Sequence, residues 1–503
     1  MKYKRTIRFT VILFLLSIQC LAFGQTSPFG SFVESSNCPF DLPNGLVLGE
    51  NFKFGYVNVP EYHDTLGKKH IKLAVAIFPC SNPDNAQEPI VMNTSGPGKS
   101  NIDNFIPQIA GGLGNYILPN RDIVIIELRG LRYSSSFLYC EEVFNTNVDM
   151  LDENLSFEET FKKLGKALKN SSQRFEKENI DLSAYNNYET AKDIHMVMDA
   201  LGYDKFSLVG SSAGTLVAQS VIKENPERIR CAILDAGLPI DSTLLINYVP
   251  GIINSLKNYF KECEQDSLCN QSFPNMEESF LNLIDSLNKN PIKIFVINPE
   301  SGEEIEAQIN GYRLAEHVFL NMFYSTQIPL LIGNILNGDY STLNNFALGK
   351  LSPKYFADGL GNTVFINEAG NYRLSDIAID PKYKTFSDGI TLAGLGGQYL
   401  LEVKEQWNVK IPKLSKTSVS QKYDTPLLVL NGKYDPVIPI QYDEVLRKQY
   451  SNCYIYRFDG VPHSAFDNAT SCVLPMILEF LNNPTKAPNS DCMTNFRQVF
   501  IVK

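Results

Sequence analysis

The chain has 503 residues, of which 44% are hydrophobic and 20% charged, and this composition excludes an intrinsically disordered protein. The net charge is −10, and four of the 45 basic residues lie within the first 24 positions, which contain no acidic residue. Without these four, 41 basic residues face 55 acidic ones, which leaves a charge of −14. So acidic a chain repels phosphate backbones, and we expect no binding to nucleic acid.

The amino terminus has the three parts of a secretory signal peptide. Basic residues precede an apolar run over residues 9–23, and the small residues Ala22 and Gly24 stand at the −3 and −1 positions before Gln25. An uncleaved anchor is one alternative, and a lipoprotein signal at Cys20 is disfavoured by the bulky residue before it. We therefore expect cleavage after Gly24, a secreted or periplasmic protein, and no stable membrane span in the mature chain.

Nine cysteines follow this segment, and such a number in an exported chain indicates disulfide bonds. We expect Cys263 to pair with Cys269 across a short acidic loop, and Cys472 to pair with Cys492 around the last helix. The other five are an odd number, so at least one thiol stays free unless it pairs between chains: Cys38, Cys80, Cys140, Cys231 and Cys453. No pair has CxxC spacing, and no metal site or cofactor is predicted.

Strand and helix patterns alternate over the first half of the chain. Continuous apolar runs such as residues 122–126 are typical of strands that are buried on both faces of a parallel sheet. Further strands are predicted at residues 55–59, 71–77, 89–92, 205–209 and 231–234, and helices at 189–201 and 215–223. The alternation predicts a doubly wound, mostly parallel α/β sheet with helices on both faces.

The alternation stops between residues 241 and 416. Helices are predicted at residues 244–263, 276–287 and 313–324, with a hairpin around residues 298–302. Strands return at residues 426–430 and 454–456, and a last helix covers 472–481. We therefore predict a signal peptide (1–24), an α/β domain in two parts (25–240 and 417–503) and a mainly helical insertion between them (241–416).

The pentad Gly210-Ser-Ser-Ala-Gly214 lies between a predicted strand and a predicted helix. In that context G-x-S-x-G is typical of a nucleophile elbow, a turn so tight that only small residues fit around the serine and the serine side chain is exposed. The alternative is a small-residue turn that serves close packing. We predict that Ser212 is a nucleophile.

An elbow serine requires a base and an acid, which follow it in the order acid, histidine. Asp435 comes just after a predicted strand, and His463 lies beyond the next one. Of the two histidines after Ser212, His463 alone follows an acid in a loop at the end of a strand. We predict His463 as general base and Asp435 as its orienting acid, with Asp459 and Asp467 as alternatives.

The loop that follows the predicted strand at residues 89–92 is glycine-rich. Backbone N–H groups of Gly96 and of Ala213 are the predicted oxyanion donors. The same loop nearly matches the phosphate-binding pattern G-x-x-x-x-G-K-[ST] through Gly98-Lys-Ser100, but Asn93 replaces the first glycine. A nucleotide-binding protein is therefore the weaker interpretation.

Together these motifs resemble the α/β-hydrolase serine peptidases that include proline iminopeptidases and secreted tripeptidyl aminopeptidases. The similar segments cover most of residues 50 to 490: Gly96–Ser100, Arg121–Gly130 with Ser134 and Cys140, the elbow region Tyr188–Pro239 with its Asn225–Arg228, and Thr425–Cys492 with its cysteine pair. The resemblance implies an α/β-hydrolase fold with a helical cap. It also implies an exopeptidase that releases residues or short peptides from free N-termini, with Ser212, Asp435 and His463 at the matching triad positions.

The chain departs from this family near the proposed site. Thr94-Ser95 stand where His-Gly is usual, Ala213 stands where an aromatic residue is common, and Leu128 replaces a polar residue. The family binds the substrate amine through carboxylates of the cap, for which Glu316, Glu402 and Glu405 are candidates here; the alternative for each is a solvated charge on a helix.

The sequence thus predicts an exported serine hydrolase that acts on peptides with a free amino terminus through an acyl-enzyme. An esterase of the same fold, acting on small esters, is the second hypothesis. A binding protein on a hydrolase scaffold is the third, and it would be expected to lack a triad member, whereas none is missing.

Overall fold

The structure, a computed structural model, describes residues 30–65, 69–93, 96–240, 244–353, 355–369, 377–393, 404–410 and 422–502. The predicted signal peptide and Glu402 lie outside the described residues. Every helix among the described residues is too short or too polar to cross a bilayer.

Within these ranges, nine strands form one sheet in the order β1-β2-β3-β5-β4-β6-β7-β10-β11. The strands are β1 (Phe32–Glu34), β2 (Lys53–Pro60), β3 (His70–Phe78), β4 (Gln87–Asn93), β5 (Arg121–Ile126), β6 (Phe206–Ser211), β7 (Ile229–Asp235), β10 (Leu427–Gly432) and β11 (Cys453–Phe458). From β5 to β11 all neighbours are parallel, whereas β1, β2 and β3 form an antiparallel edge. The predicted mostly parallel sheet is confirmed, and the antiparallel edge is an addition to it.

Helices cover both faces of the sheet, and others form the insertion. Their bounds are α1 (Asn101–Gln108), α2 (Gly114–Ile117), α3 (Glu141–Asp149), α4 (Phe157–Lys177), α5 (Asn187–Ala200), α6 (Gly214–Glu224), α7 (Leu244–Gln265), α8 (Ser267–Ser272), α9 (Met276–Leu287), α10 (Gly311–Met322), α11 (Ile328–Leu336), α12 (Ser341–Leu351), α13 (Asp358–Ala369), α14 (Lys384–Leu392), α15 (Gln441–Gln449), α16 (Ala465–Asn468) and α17 (Thr470–Asn482).

The apolar runs of the sheet are divided between two cores. In β5, Val124 and Ile126 face the core under α4, α5 and α6, while Ile123 and Ile125 face the core under α1 and α17. Both faces are buried, which is why these strands read as continuous apolar runs. The carboxyl ends of the parallel strands therefore meet at one edge between the two helical layers.

The insertion contributes helices α7, α9 to α12 and α14 to a third apolar core, which also contains Leu216 of α6 and Tyr442 of α15. Its hairpin pairs β8 (Ile292–Ile297) with β9 (Glu304–Ile309) in antiparallel register, so the predicted hairpin is confirmed. The predicted boundaries at residues 241 and 416 fall outside the described residues, and the domain limits stay a prediction.

Both expected disulfide bonds are present. Cys263 is bonded to Cys269 and Cys472 to Cys492, with Cα–Cα distances of 5.1 and 5.6 Å. Cys38, Cys80, Cys140, Cys231 and Cys453 are free thiols in the part of the chain that the structure describes.

Candidate active site

Ser212 occupies a sharp turn between β6 and α6. Its φ of +53° lies in the left-handed region, which non-glycine residues adopt at a cost in free energy. A Cβ atom at Gly210 would come within 2.5 Å of the Gly214 carbonyl oxygen, so the turn closes only around glycine. The turn has the geometry of a nucleophile elbow. The expectation that the serine is exposed is wrong, however, because only 8% of its surface is accessible.

The side chains of His463 and Asp435 form a buried pair. Nδ1 of His463 lies 2.7 Å from Oδ2 of Asp435, and Asp435 is 6% exposed. The other carboxylate oxygen, Oδ1, accepts the backbone N–H groups of Val437 at 2.9 Å and Ile438 at 3.1 Å. One oxygen is thus held by the backbone, and the other is directed at the imidazole.

The His463 loop lies close over the end of β10. A side chain at Gly432 would collide with the Pro462 carbonyl oxygen, so glycine is required where the two segments cross. Burial by itself would lower the pKa of His463, but the carboxylates of Asp435 and Asp235 raise it above its ordinary value. The imidazole is therefore a stronger base than a free histidine.

Neither alternative acid is bonded to the imidazole of His463. Asp459 accepts the Gly460 N–H at 3.0 Å and lies 3.4 Å from the Lys433 ammonium. Asp467 is exposed at the start of α16, where its backbone N–H is capped by Ser464. The structure therefore brings Asp435, rather than either alternative, to Nδ1 of His463.

Gly96 begins the described part of the predicted oxyanion loop. Gly96 and Gly98 have φ values of +144° and +126°, a backbone region that favours glycine. The loop packs against the start of α13, since the Ala357 N–H donates to the Gly98 carbonyl at 2.9 Å. Ala213 is the residue directly before α6 and has helical φ/ψ, so its N–H belongs to the first turn of that helix.

Glu127, which the sequence argument missed, holds the other end of this loop. It follows β5, is fully buried, and accepts the Ile102 N–H of α1 at 3.1 Å. Burial raises the pKa of Glu127 to about 7, and hydrogen bonds from Ile102, Ser100 and Tyr133 oppose that shift. The carboxylate takes a helix N-terminal N–H that a P-loop would offer to a phosphate, which argues against the nucleotide-binding interpretation.

Of the three carboxylates suggested for amine binding, Glu316 already interacts with another side chain. It is buried on α10 and forms an ion pair with Lys350 of α12. The cavity beside this pair is lined by residues of α3, α4, α10, α12 and α14 and by neighbouring loops, not by Ser212 or His463. Glu316 thus already has a cationic partner, and its role as an amine anchor stays a prediction. Glu405 lies in a short 3₁₀ turn at residues 404–406.

Two further residues contact the site, although no role was predicted for either from the sequence. Asp235 ends β7 and bonds to both the Ser212 turn and the His463 loop. Phe323, just after α10, places its ring edge-on to His463 with 5.0 Å between centroids. The rule that selected Asp435, an acid directly after an apolar strand, applies equally to Asp235. No comparable sequence signal marks Phe323.

No cluster of three or more His, Cys, Asp or Glu side chains in the described ranges could hold a metal ion. The groups assembled at this edge of the sheet are instead a serine hydroxyl on a strained turn, an imidazole with a buried carboxylate partner, and backbone N–H groups in a glycine-rich loop. These are the components of acyl transfer to serine.

Two family models match the chain. The model described as the alpha/beta hydrolase fold matches residues 88–291, and the model described as TAP-like protein matches residues 397–492. The first range contains Gly96 and Ser212, and the second contains Asp435, His463 and the Cys472–Cys492 bond.

The curated relatives include the serine protease Hip1 of Mycobacterium bovis and of Mycobacterium tuberculosis. Each is 23% identical over 492 residues, which covers 91% of this chain and 89% of the relative.

Solved structures that are similar to this chain include an alpha/beta hydrolase fold protein from Chitinophaga pinensis. The two share 14% identity with a TM-score of 0.35, and the match covers 85% of this chain and 97% of that one. A meta-cleavage product hydrolase from Pseudomonas fluorescens has 12% identity, a TM-score of 0.37, and coverage of 82% and 94%.

The chain is a serine hydrolase of the α/β-hydrolase fold, and its hydrolase domain followed by a TAP-like segment fits the α/β-hydrolase serine peptidase family of the TAP type.

Proposed function

We propose that this protein is an exported aminopeptidase that releases residues or short peptides from free peptide N-termini through a triad of Ser212, His463 and Asp435. The observation that carries the proposal is the 2.7 Å contact between His463 Nδ1 and Asp435, together with a serine with φ of +53° at the same edge of the sheet. A serine in a strained backbone conformation and an imidazole held by a carboxylate contribute little to the stability of the fold. Their presence therefore favours a catalytic role.

In the first half of the reaction, the Ser212 hydroxyl attacks the carbonyl carbon of the scissile bond. Nε2 of His463 takes the hydroxyl proton, and Asp435 holds the opposite nitrogen as the donor and stabilises the imidazolium. The negative charge on the carbonyl oxygen is stabilised by the N–H groups of Gly96 and Ala213. The imidazolium then gives its proton to the leaving amine, and the acyl group stays on Ser212.

In the second half, water hydrolyses the acyl-enzyme. His463 takes a proton from the water, which attacks the ester carbonyl, and then returns it to the Ser212 oxygen as the acid is released. No metal or organic cofactor enters either half.

The substrate assignment rests on the TAP-like segment and on the resemblance to aminopeptidases. The relatives are named serine proteases, which supports peptide-bond chemistry. A free amino terminus would need a carboxylate anchor, for which the candidates are Glu402, Glu405 and Glu316, the last of which is paired to Lys350. Export is supported by the signal-like first 24 residues and is compatible with the two disulfide bonds.

The test is kcat/KM on one short peptidyl anilide with its amino terminus free and then acetylated, with Ser212→Ala as the blank. We expect at least a 100-fold preference for the free amine, because the acetyl group removes the charge that the anchor binds. Equal rates, or cleavage of an aryl ester alone, would contradict the aminopeptidase assignment and favour an esterase. No turnover of any acyl substrate would favour the binding-protein hypothesis.

A further inference from the structure

Asp235 is the last residue of β7, and β7 lies between the two strands that lead to the proposed catalytic groups. In the sheet register, Ser211 of β6 is opposite Asp235 on one side, and Leu430 of β10 is opposite it on the other. Since β6 leads into Ser212 and β10 into the loop of Asp435, Asp235 is central at the carboxyl edge of the sheet.

Hydrogen bonds connect Asp235 to both halves of the site. Its backbone carbonyl accepts the Ser212 N–H at 2.8 Å, and Oδ2 accepts the Ser211 hydroxyl at 3.3 Å. From the histidine side, Oδ2 accepts the Ser464 hydroxyl at 2.6 Å, and Oδ1 accepts the Phe466 N–H at 3.1 Å. The carboxylate is 3% exposed and has donors from two separate loops.

Strained backbone is concentrated around this residue. Ser212 and Ala236 have φ of +53°, and Ser464 has φ of +67°. Each is bonded to Asp235 or adjacent to it along the chain. Such conformations persist only where the surrounding contacts over-determine them, and Asp235 supplies hydrogen bonds to Ser212 and Ser464 and directly precedes Ala236.

We infer that Asp235 is a positioning residue that fixes the nucleophile turn and the histidine loop relative to one another. Because one carboxylate accepts donors from both segments, neither can shift without losing a charge-assisted hydrogen bond to a buried group. This inference rests on the proposed roles of Ser212 and His463.

Asp235 also acts on the imidazole through its charge. Three carboxylates act on His463: Asp435 from the loop after β10, Asp235 from β7 and Asp467 from α16. Lys99 interacts with Asp467, and the ring of Phe323, just after α10, packs against the imidazole. Burial raises the pKa of Asp235 to about 6, so above that pH its negative charge favours the imidazolium.

The test compares Asp235→Asn with the wild type, using an aryl ester that carries no amine. We expect kcat to fall by about 10- to 100-fold with KM within a factor of three, because positioning is lost rather than ground-state binding. The acidic limb of the kcat/KM profile should move to lower pH, since the imidazolium loses a negative neighbour. A purely structural role would not move that limb.

Asp122→Asn is the matched control. Asp122 also accepts a backbone N–H, from Cys80 at 2.7 Å, and a side-chain hydroxyl, from Tyr203, but it lies at the amino end of β5. This variant should keep both kcat and the pH limb of the wild type. If Asp235→Asn does not fold, Ser464→Ala takes its place and should lower kcat about 3- to 10-fold. An unchanged kcat in Ser464→Ala would then overturn the inference.

Labelling by a fluorophosphonate separates the two proposals. If the wild type is labelled at Ser212 and Asp235→Asn keeps the wild-type kcat and pH limb, the positioning role is wrong and the triad stands. If the folded wild type is not labelled at Ser212, both proposals are wrong.

Discussion

At the scale of single residues, the protonation of His463 determines the expected pH dependence. The base must be neutral to accept the Ser212 proton, and Asp435 and Asp235 raise its pKa above the ordinary value of 6.5. Activity should therefore fall on acidification, and the fall should begin at a higher pH than for a free imidazole. An aryl ester is the substrate for this measurement, because a peptide amine would titrate in the same range. A flat kcat/KM profile between pH 5 and 8 would contradict the role of His463.

The proposed triad residues follow from the sequence because each lies in the turn or loop after a strand, and the carboxyl ends of parallel strands meet at one edge. Asp235 obeys the same rule but was not selected, because its role depends on donors from Ser211 and Ser464, which are far apart in the chain. The Glu316–Lys350 ion pair was likewise not predictable, since it depends on how α10 packs against α12.

At the scale of elements, the junction of β5 and α1 depends on the buried Glu127. Its pKa is raised from the ordinary 4.5 to about 7, so the folded state holds the proton more tightly than the unfolded chain does. The resulting stabilisation is present below pH 4.5 and is lost as the pH rises to 7. We therefore expect Glu127→Gln to gain stability relative to the wild type between pH 5 and 8, by on the order of 2 kcal/mol.

The measurement is urea unfolding of both proteins at several pH values. Glu34→Gln on the exposed strand β1 is the control for the change from glutamate to glutamine itself. Parallel stability curves for Glu127→Gln and the wild type would show that Glu127 does not titrate in this window.

Some helices could have been predicted, and others could not. Helix α4 has a capping box from Ser156 to Glu159 and an apolar stripe that includes Leu164, Leu168 and Phe175, so its sequence signal was present although it was not used. Helix α13 has no such stripe. It packs Gly359 against Leu138, and neighbouring Gly361 against Pro97, so several sides of the helix are covered.

At the scale of the whole molecule, the carboxyl-terminal segment connects the sheet to the insertion. Phe496 packs edge-on against Phe458 at the end of β11. Further along, the Gln327 side chain donates to the Val499 carbonyl at 2.9 Å and accepts the Ile501 N–H at 2.8 Å. Gln327 directly precedes α11, so this segment contacts the part of the insertion that follows Phe323.

The Cys472–Cys492 bond ties α17 to the start of this segment, across 20 residues of chain. Replacing both cysteines by serine should destabilise the protein by about 3 kcal/mol, because the unfolded chain gains loop entropy. The Cys263–Cys269 bond closes a loop of only 6 residues. Replacing both of its cysteines by serine should therefore destabilise the protein by about 1 kcal/mol less. Thermal melting of the two double variants checks this order, and equal melting temperatures would contradict it.

The sequence predicted the α/β class and most strands of the sheet, since the apolar runs are long and separated by turns. The order of the strands was not predictable, because parallel partners such as β7 and β10 are joined by a connection of about 190 residues that contains the insertion. The contacts of Phe323 with His463 and of α13 with the Gly98 loop depend on this insertion for the same reason.

The most direct test of the account is to find the residue that a fluorophosphonate modifies, by peptide mapping of the labelled protein. The account predicts a single adduct on Ser212 of the wild type, no adduct on Ser212→Ala, and labelling at least 1,000-fold slower on His463→Ala, because the hydroxyl then lacks its base. Labelling of another serine, or the same rate without His463, would show that Ser212 and His463 are not the nucleophile and base of this protein.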